Sequence, residues 1–97
     1  MKSIKFHPKA ELEMIEAASF YEEKQRLLGK RFLQAVEQPL NKISLNPQIY
    51  KTIEKNTRWC RINTFPFSVI FREQAESIEI IAVMHIRKRP GYWKERH

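Results

Sequence analysis

The stretch RWCRINTFPFSVIF (Arg58–Phe71) is where the chain changes period. Upstream of it, apolar residues return every three or four positions. Within it they return every two. Arg58–Phe65 places Trp59, Arg61 and Asn63 on one side, and Phe67–Phe71 alternates again, so both segments predict strands. Pro66 separates them; with no N–H to donate, it belongs in a turn, a bulge or a sheet edge.

Downstream, REQAES (Arg72–Ser77) is a polar turn, and IEIIAVMHI (Ile78–Ile86) is the strongest strand in the chain. Strict alternation puts Ile78, Ile80, Ala82, Met84 and Ile86 on one face, and Ile81, Val83, His85 and Arg87 on the other. The second face starts apolar and ends polar, as expected of a strand that leaves the core at a site or an edge. Upstream, Ser3–His7 alternates Ile4 and Phe6 with polar neighbours and predicts a short strand, which Pro8 ends. Lys9–Leu27 has neither Gly nor Pro and predicts a helix, with a line through Leu12, Ile15, Ala18 and Glu22 thickened by Met14, Ala17 and Tyr21. Glu11, Glu13 and Glu16 suit its N-terminal dipole and a solvated face. Gly29 is expected to break this helix. A second helix follows through Phe32, Ala35, Val36, Leu40 and Ile43, kinked near residue 38 by Pro39 and stopped by Asn46-Pro47-Gln48. The expectation is one α+β domain over residues 1–97: an N-terminal strand and an αα-hairpin packed on an antiparallel sheet of three to four strands.

Composition narrows the functional classes. The net charge is +7, with eight Lys/Arg against six Glu in residues 1–50, ten against five in residues 51–97, and no Asp. That balance favours an acidic partner. One cysteine permits no internal disulfide, no apolar run is long enough to span a bilayer, and the N-terminus has no signal-peptide pattern. A cytoplasmic protein that does not engage a membrane is expected. His7, His85 and His97 are widely spaced, and Gly29 and Gly91 are isolated, so neither a metal site nor a phosphate-binding loop is expected, and no cofactor.

Chemistry concentrates in HIRKRPGYWKER (His85–Arg96). Arg87, Lys88, Arg89 and Arg96 offer charge, His85 offers an imidazole, and Tyr92 and Trp93 offer aromatic faces. Should the register bring Arg61 and Arg87 to one face with His85 and Tyr92, the set could cleave RNA without metal: one group takes the 2′-hydroxyl proton, another protonates the 5′-oxygen, and the arginines stabilise charge on phosphorus. The same set could bind phosphate without cutting. Tyr92 and Trp93 have a second reading, as a tail that closes the core. A general nucleic-acid module fits less well, because no helix carries a dense basic stripe and the aromatics are not spaced as a stacking platform.

Four segments together resemble the RelE/ParE superfamily of toxins from type II toxin–antitoxin modules: FHPKAELEMIEAASFYEE with Tyr21, LGKRFLQAVEQPLNKISLNP, RWCRINTFPFSVIF with Arg61, and IIAVMHIRKRPGYWKER. The ending His85, Arg87, Pro90, Tyr92, Trp93 and Arg96 is most similar to the ParE-like branch, often called plasmid-stabilisation proteins. The resemblance implies a helical hairpin on an antiparallel sheet and a cognate antitoxin that wraps the toxin in a hetero-oligomer. It implies DNA gyrase as target, with His85, Arg87, Lys88, Arg89, Tyr92, Trp93 and Arg96 as the target-binding surface. The RelE-like alternative is a ribosome-dependent mRNA interferase, with Arg61, Arg87 and Tyr92 as the catalytic set and ribosome and mRNA as partners. A degenerate, non-toxic member is the remaining alternative.

Overall fold

A computed structural model describing residues 1–54 and 56–96 places two helices on one face of a five-stranded sheet. The elements are β1 (Ser3–Phe6), α1 (Pro8–Lys24), α2 (Leu28–Leu45), a 3-10 turn (Pro47–Ile49), β2 (Thr52–Glu54), β3 (Thr57–Arg61), β4 (Phe67–Glu73) and β5 (Ser77–His85). The α+β expectation stands, with two corrections to its sheet. First, there are five strands rather than three to four, in the order β1-β5-β4-β3-β2. The addition, β2, is three exposed residues on the sheet edge, too short and too little covered to carry an alternating pattern. Second, the sheet is mixed, because β1 pairs parallel to β5 while the other neighbours are antiparallel.

α1 starts at Pro8, and the Nδ1 of His7 accepts the Lys9 N–H at 3.1 Å, so His7 caps it with its ring. Its inward side differs from the expected line. Ala10 and Ala18 are buried and Tyr21 is half-buried, whereas Leu12 and Ile15 are 54% and 53% exposed. Tyr21 sets the rotation: its ring meets those of Phe65 at 4.8 Å and Phe32 at 5.4 Å. Leu12, about two and a half turns earlier, then falls on the opposite side.

The chain also turns earlier than Gly29. Leu27 adopts a left-handed conformation with φ 71°, and Gly29 lies inside the first turn of α2. The Glu22 carboxylate accepts the N–H groups of Leu27 and Gly29, each at 3.0 Å, which satisfies donors that the start of a helix leaves orphaned. Gly29 permits close approach: a Cβ there would lie 2.5 Å from the Ala18 carbonyl oxygen. Gly29→Ala is therefore expected to destabilise the domain by about 2 kcal/mol, the strain of overpacking outweighing the better helix propensity of alanine. A urea melt checks this; equal or greater stability would mean that the helices do not meet at Ala18 and Gly29. α2 continues through Pro39 to Leu45, where the N–H of Asn46 still reaches the Lys42 carbonyl at 2.9 Å.

Apolar residues fill both sheet faces. Under the helices lie Phe32, Val36, Ile43, Phe67, Phe71 and Ile78. Phe32 and Phe67 meet edge to face at 4.9 Å. On the opposite face a smaller cluster joins Ile70, Ile81, Ala82 and Trp93. The alternation expected along β5 fails in its middle. Ile70 pairs with Ala82 but Phe71 pairs with Ile80, so Ile81 is an extra residue, a β-bulge. Ile78 and Ile80 therefore share the helix-covered core with Val83, while Ile81 and Ala82 both join the cluster behind the sheet.

Candidate functional site

β5 delivers the C-terminal segment to one end of the sheet. His85, its last residue, stands opposite Phe67, with ring centroids 5.0 Å apart. Its Nδ1 accepts the Arg87 N–H at 3.0 Å, and its carbonyl accepts the Lys88 N–H at 2.9 Å. The Ile86 N–H donates to the Pro66 carbonyl at 2.9 Å. Three bonds thus fix the turn that starts the basic run. The neutral imidazole keeps its proton on Nε2, since Nδ1 is the acceptor. Arg87, Lys88 and Arg89 are exposed and form no ion pair among the described residues, although the Lys88 Nζ lies 5.3 Å from the Tyr92 ring centre. The run is a cationic loop held at its root.

The other end of the loop is anchored by Tyr92, Trp93 and Arg96. Trp93 is 4% exposed and plugs the cluster behind the sheet; its Nε1–H has no acceptor among the described residues. The Tyr92 hydroxyl donates to Glu13 Oε2 at 2.7 Å. Arg96 grips the same carboxylate with two N–H groups, at 2.8 and 2.9 Å, and also donates to the Ile81 carbonyl at 2.8 Å. Glu13 Oε1 accepts the Val83 N–H at 3.0 Å. The position of this network follows from topology. β1 pairs with β5 only as far as Ile80, so Ile81 and Val83 would otherwise present an open strand edge. Glu13 and Arg96 satisfy that edge with side chains.

The electrostatics follow the geometry. Burial works against the charge on Glu13, but hydrogen bonds from Arg96, Tyr92 and Val83 outweigh it and hold its carboxyl below the ordinary carboxylate range. Burial, then the hydrogen bond to Glu13, pushes the Tyr92 hydroxyl well above its ordinary value, so it stays protonated at neutral pH.

The predicted residues therefore separate into three places. His85, Arg87, Lys88 and Arg89 share the anchored turn and loop. Tyr92 and Arg96 meet at Glu13, and Trp93 is in the core. Arg61 is apart: it pairs with Ser68 of β4, which pairs with Met84 of β5, so Arg61 projects behind the sheet, two strands from β5. Arg87 lies beyond the last residue of β5 and belongs to neither face of the sheet. The Tyr92 hydroxyl is bound to Glu13 rather than turned toward Arg61. The sequence reading missed Glu13, placing it on a solvated helix face. A signal was present: Glu13 is three residues after Ala10 and four before Ala17, within a line of small residues that lets a strand come close. Among the described residues no cluster of His, Cys or Glu could hold a metal ion, and no helix is long and apolar enough to cross a membrane.

Comparison with known proteins adds the family. A sequence profile described as "ParE toxin of type II toxin-antitoxin system, parDE" matches residues 4–90. Among solved structures, one titled "Chromosomal ParDE TA system from P. aeruginosa" contains a chain that superposes with a TM-score of 0.70 at 18% identity, covering 88% of this chain and 96% of that one. At that identity the likeness concerns the fold. The curated proteins contain no match to the sequence.

Proposed function

The chain belongs to the ParE toxin family of type II toxin–antitoxin systems, and on that premise we propose that it arrests growth by binding DNA gyrase and is neutralised by a cognate antitoxin in a hetero-oligomer. The observation that carries the binding role is the contrast within its C-terminal segment. Arg87, Lys88 and Arg89 have no carboxylate partner among the described residues and sit on a loop anchored at both ends, as a target-binding surface requires. Tyr92, which an RNA-cutting mechanism would enlist, is committed to Glu13, and its hydroxyl is held protonated. A general base must be deprotonated to act, and a phenol pushed upward is a poor one. These features favour protein binding over mRNA cleavage. The protein is expected to work in the cytoplasm, where gyrase is.

The test pairs a brief expression pulse in bacteria with a supercoiling assay on purified gyrase. Growth arrest with inhibited supercoiling and unchanged RNA 5′ ends is the expected outcome. Arg87→Ala/Arg89→Ala should raise the half-inhibitory concentration about thirtyfold, the scale for truncating an arginine hot spot, while the thermal melt stays within about 0.5 kcal/mol because both side chains are exposed. RNA cuts phased to codons would instead establish the interferase. Neither arrest nor cuts would identify a family member that has lost its activity.

A further inference from the structure

Behind the sheet, Trp93 covers only part of the apolar face. The remainder is a trough made of two cavities, of about 320 and 290 Å³, which share Ile53 and Met84 as walls. The strand register explains its lining. Arg61, Ser68 and Met84 stand side by side across β3, β4 and β5, and Trp59, Ile70 and Ala82 form the next row. Neighbouring strands lie about 4.8 Å apart, so each row crosses the three strands in about 10 Å. Ile70 is buried at the floor, whereas Ile53 and Ile86 are each 45% exposed. Ile86 lines the first cavity, and Pro90 and Gly91 line the second, so the trough meets the cationic loop at both ends of that loop.

Its unpaired charges have one sign. Arg61 is exposed and forms no ion pair among the described residues, and Arg87, Lys88 and Arg89, in the same state, follow directly on Ile86. Glu54, the carboxylate on the wall of the second cavity, is paired with Lys94 at 3.5 Å, which ties the C-terminal turn to β2. Two copies of this chain meeting through their troughs would set these cations against one another. Nucleic acid would find, in the first cavity, the single ring of Trp59 among the apolar side chains of Ile53, Ile70, Met84 and Ile86, where base stacking asks for successive rings.

We propose that this trough is the apolar half of the gyrase-binding surface: a projecting apolar side chain of gyrase seats between Ile53, Met84 and Ile86, and carboxylates beside it pair with Arg61 and with Arg87 to Arg89. The assignment rests on the gyrase reading and extends it from the cationic loop to the sheet behind. Charge alone makes a poor anchor. Exposed charges steer a partner and select it, whereas most binding energy comes from a desolvated apolar centre with a polar rim. The loop provides the rim, and the trough beside it provides the centre. The ladder bonds of β3, β4 and β5 already fix the floor, so docking there orders little of this chain. An apolar floor edged by unpaired cations matches a surface that presents an apolar side chain among acidic ones.

Ile53→Glu and Ile86→Glu test it, since each places a carboxylate in the trough. Leu12→Glu and Ile15→Glu are the controls: at 54% and 53% exposure on the outer face of α1, they change the charge of the chain equally. Thermal melts establish which variants fold, and either trough variant suffices if the other does not. Supercoiling by purified gyrase is then titrated with each chain. The half-inhibitory concentration should rise at least about tenfold for the trough variants, the scale of an interface hot spot, and stay within about twofold for the controls. Trough variants as potent as the parent would overturn the proposal; if Arg87→Ala/Arg89→Ala were still weakened, the gyrase reading would stand on the loop alone. An equal loss in trough variants and controls would trace the effect to net charge and overturn it too. A parent that leaves supercoiling unchanged would remove gyrase as the target and as the occupant of the trough. A labelled 16-nucleotide uridine oligomer, bound by the parent and released by the trough variants while they still inhibit gyrase, would give the trough to nucleic acid instead.

Discussion

Trp93→Ala is expected to destabilise the domain by about 4 kcal/mol, the usual cost of emptying a buried tryptophan site. For a domain of this size that is a large share of a total near 5–15 kcal/mol, and the melting temperature should fall by more than about 15 °C. The reasoning starts from the back of the sheet. Ile70, Ile81 and Ala82 form an apolar surface with no helix over it, and Trp93 is what covers it. Its burial removes that surface from water and fixes the end of the 86–91 loop. Trp93→Phe is the informative companion. The buried Nε1–H has no acceptor among the described residues, so the indole carries a desolvation cost that phenylalanine does not. Losing part of the ring and losing an unpaired donor nearly offset each other, and Trp93→Phe should lie within about 1 kcal/mol of the parent. Urea denaturation distinguishes the cases. A small effect of Trp93→Ala would mean that the tail does not pack on the sheet, and a large effect of Trp93→Phe would mean that the indole N–H has a partner after all.

How much of this was legible in the sequence differs from element to element. The change of period at Arg58–Phe71 marks β3 and β4, because β4 is buried over Phe67–Phe71 and β3 is half-covered beside it, and covered strand positions must be filled by apolar residues. The helical hairpin is legible for the same reason. β2 is not, since an edge strand of three exposed residues has no face that must be apolar. The bulge at Ile81 is hidden by its own composition. In IEIIAVMHI every residue from Ile80 to Met84 is apolar, so a slip of one position between the two faces leaves no trace in polarity. Of the candidate site, the basic run is legible as exposed charge. The fate of Tyr92 and Arg96 is not, because it is decided by a carboxylate some eighty positions away whose location depends on β1 ending before β5 does.

That carboxylate supports the second large effect. Glu13→Gln is expected to cost about 3 kcal/mol at pH 7, the scale for breaking a buried ion pair by altering one partner. The Arg96 and Glu13 side chains are only 11% and 20% exposed, so solvent does little to screen the loss. The substituted amide keeps one acceptor oxygen, while the carboxylate receives hydrogen bonds from Arg96, Tyr92 and the Val83 N–H; donor must then face donor at the edge of β5. The pH dependence fixes the mechanism. Glu13 has a folded-state pKa below its unfolded one, so as pH falls the unfolded chain takes up the proton first. The stability it contributes is complete above the ordinary carboxylate range and is lost as pH falls through the lowered folded value. The gap between the parent and Glu13→Gln, widest at neutral pH, should therefore close on acidification. Paired urea melts from pH 7 to pH 3 measure that gap. If it stayed constant, the contribution of Glu13 would be one of shape, and the C-terminal segment would be held by Trp93 alone. If it closed, the loop that carries Arg87 to Arg89 would be tied to the first helix by a charge, and its presentation to any partner would weaken in acid along with the fold.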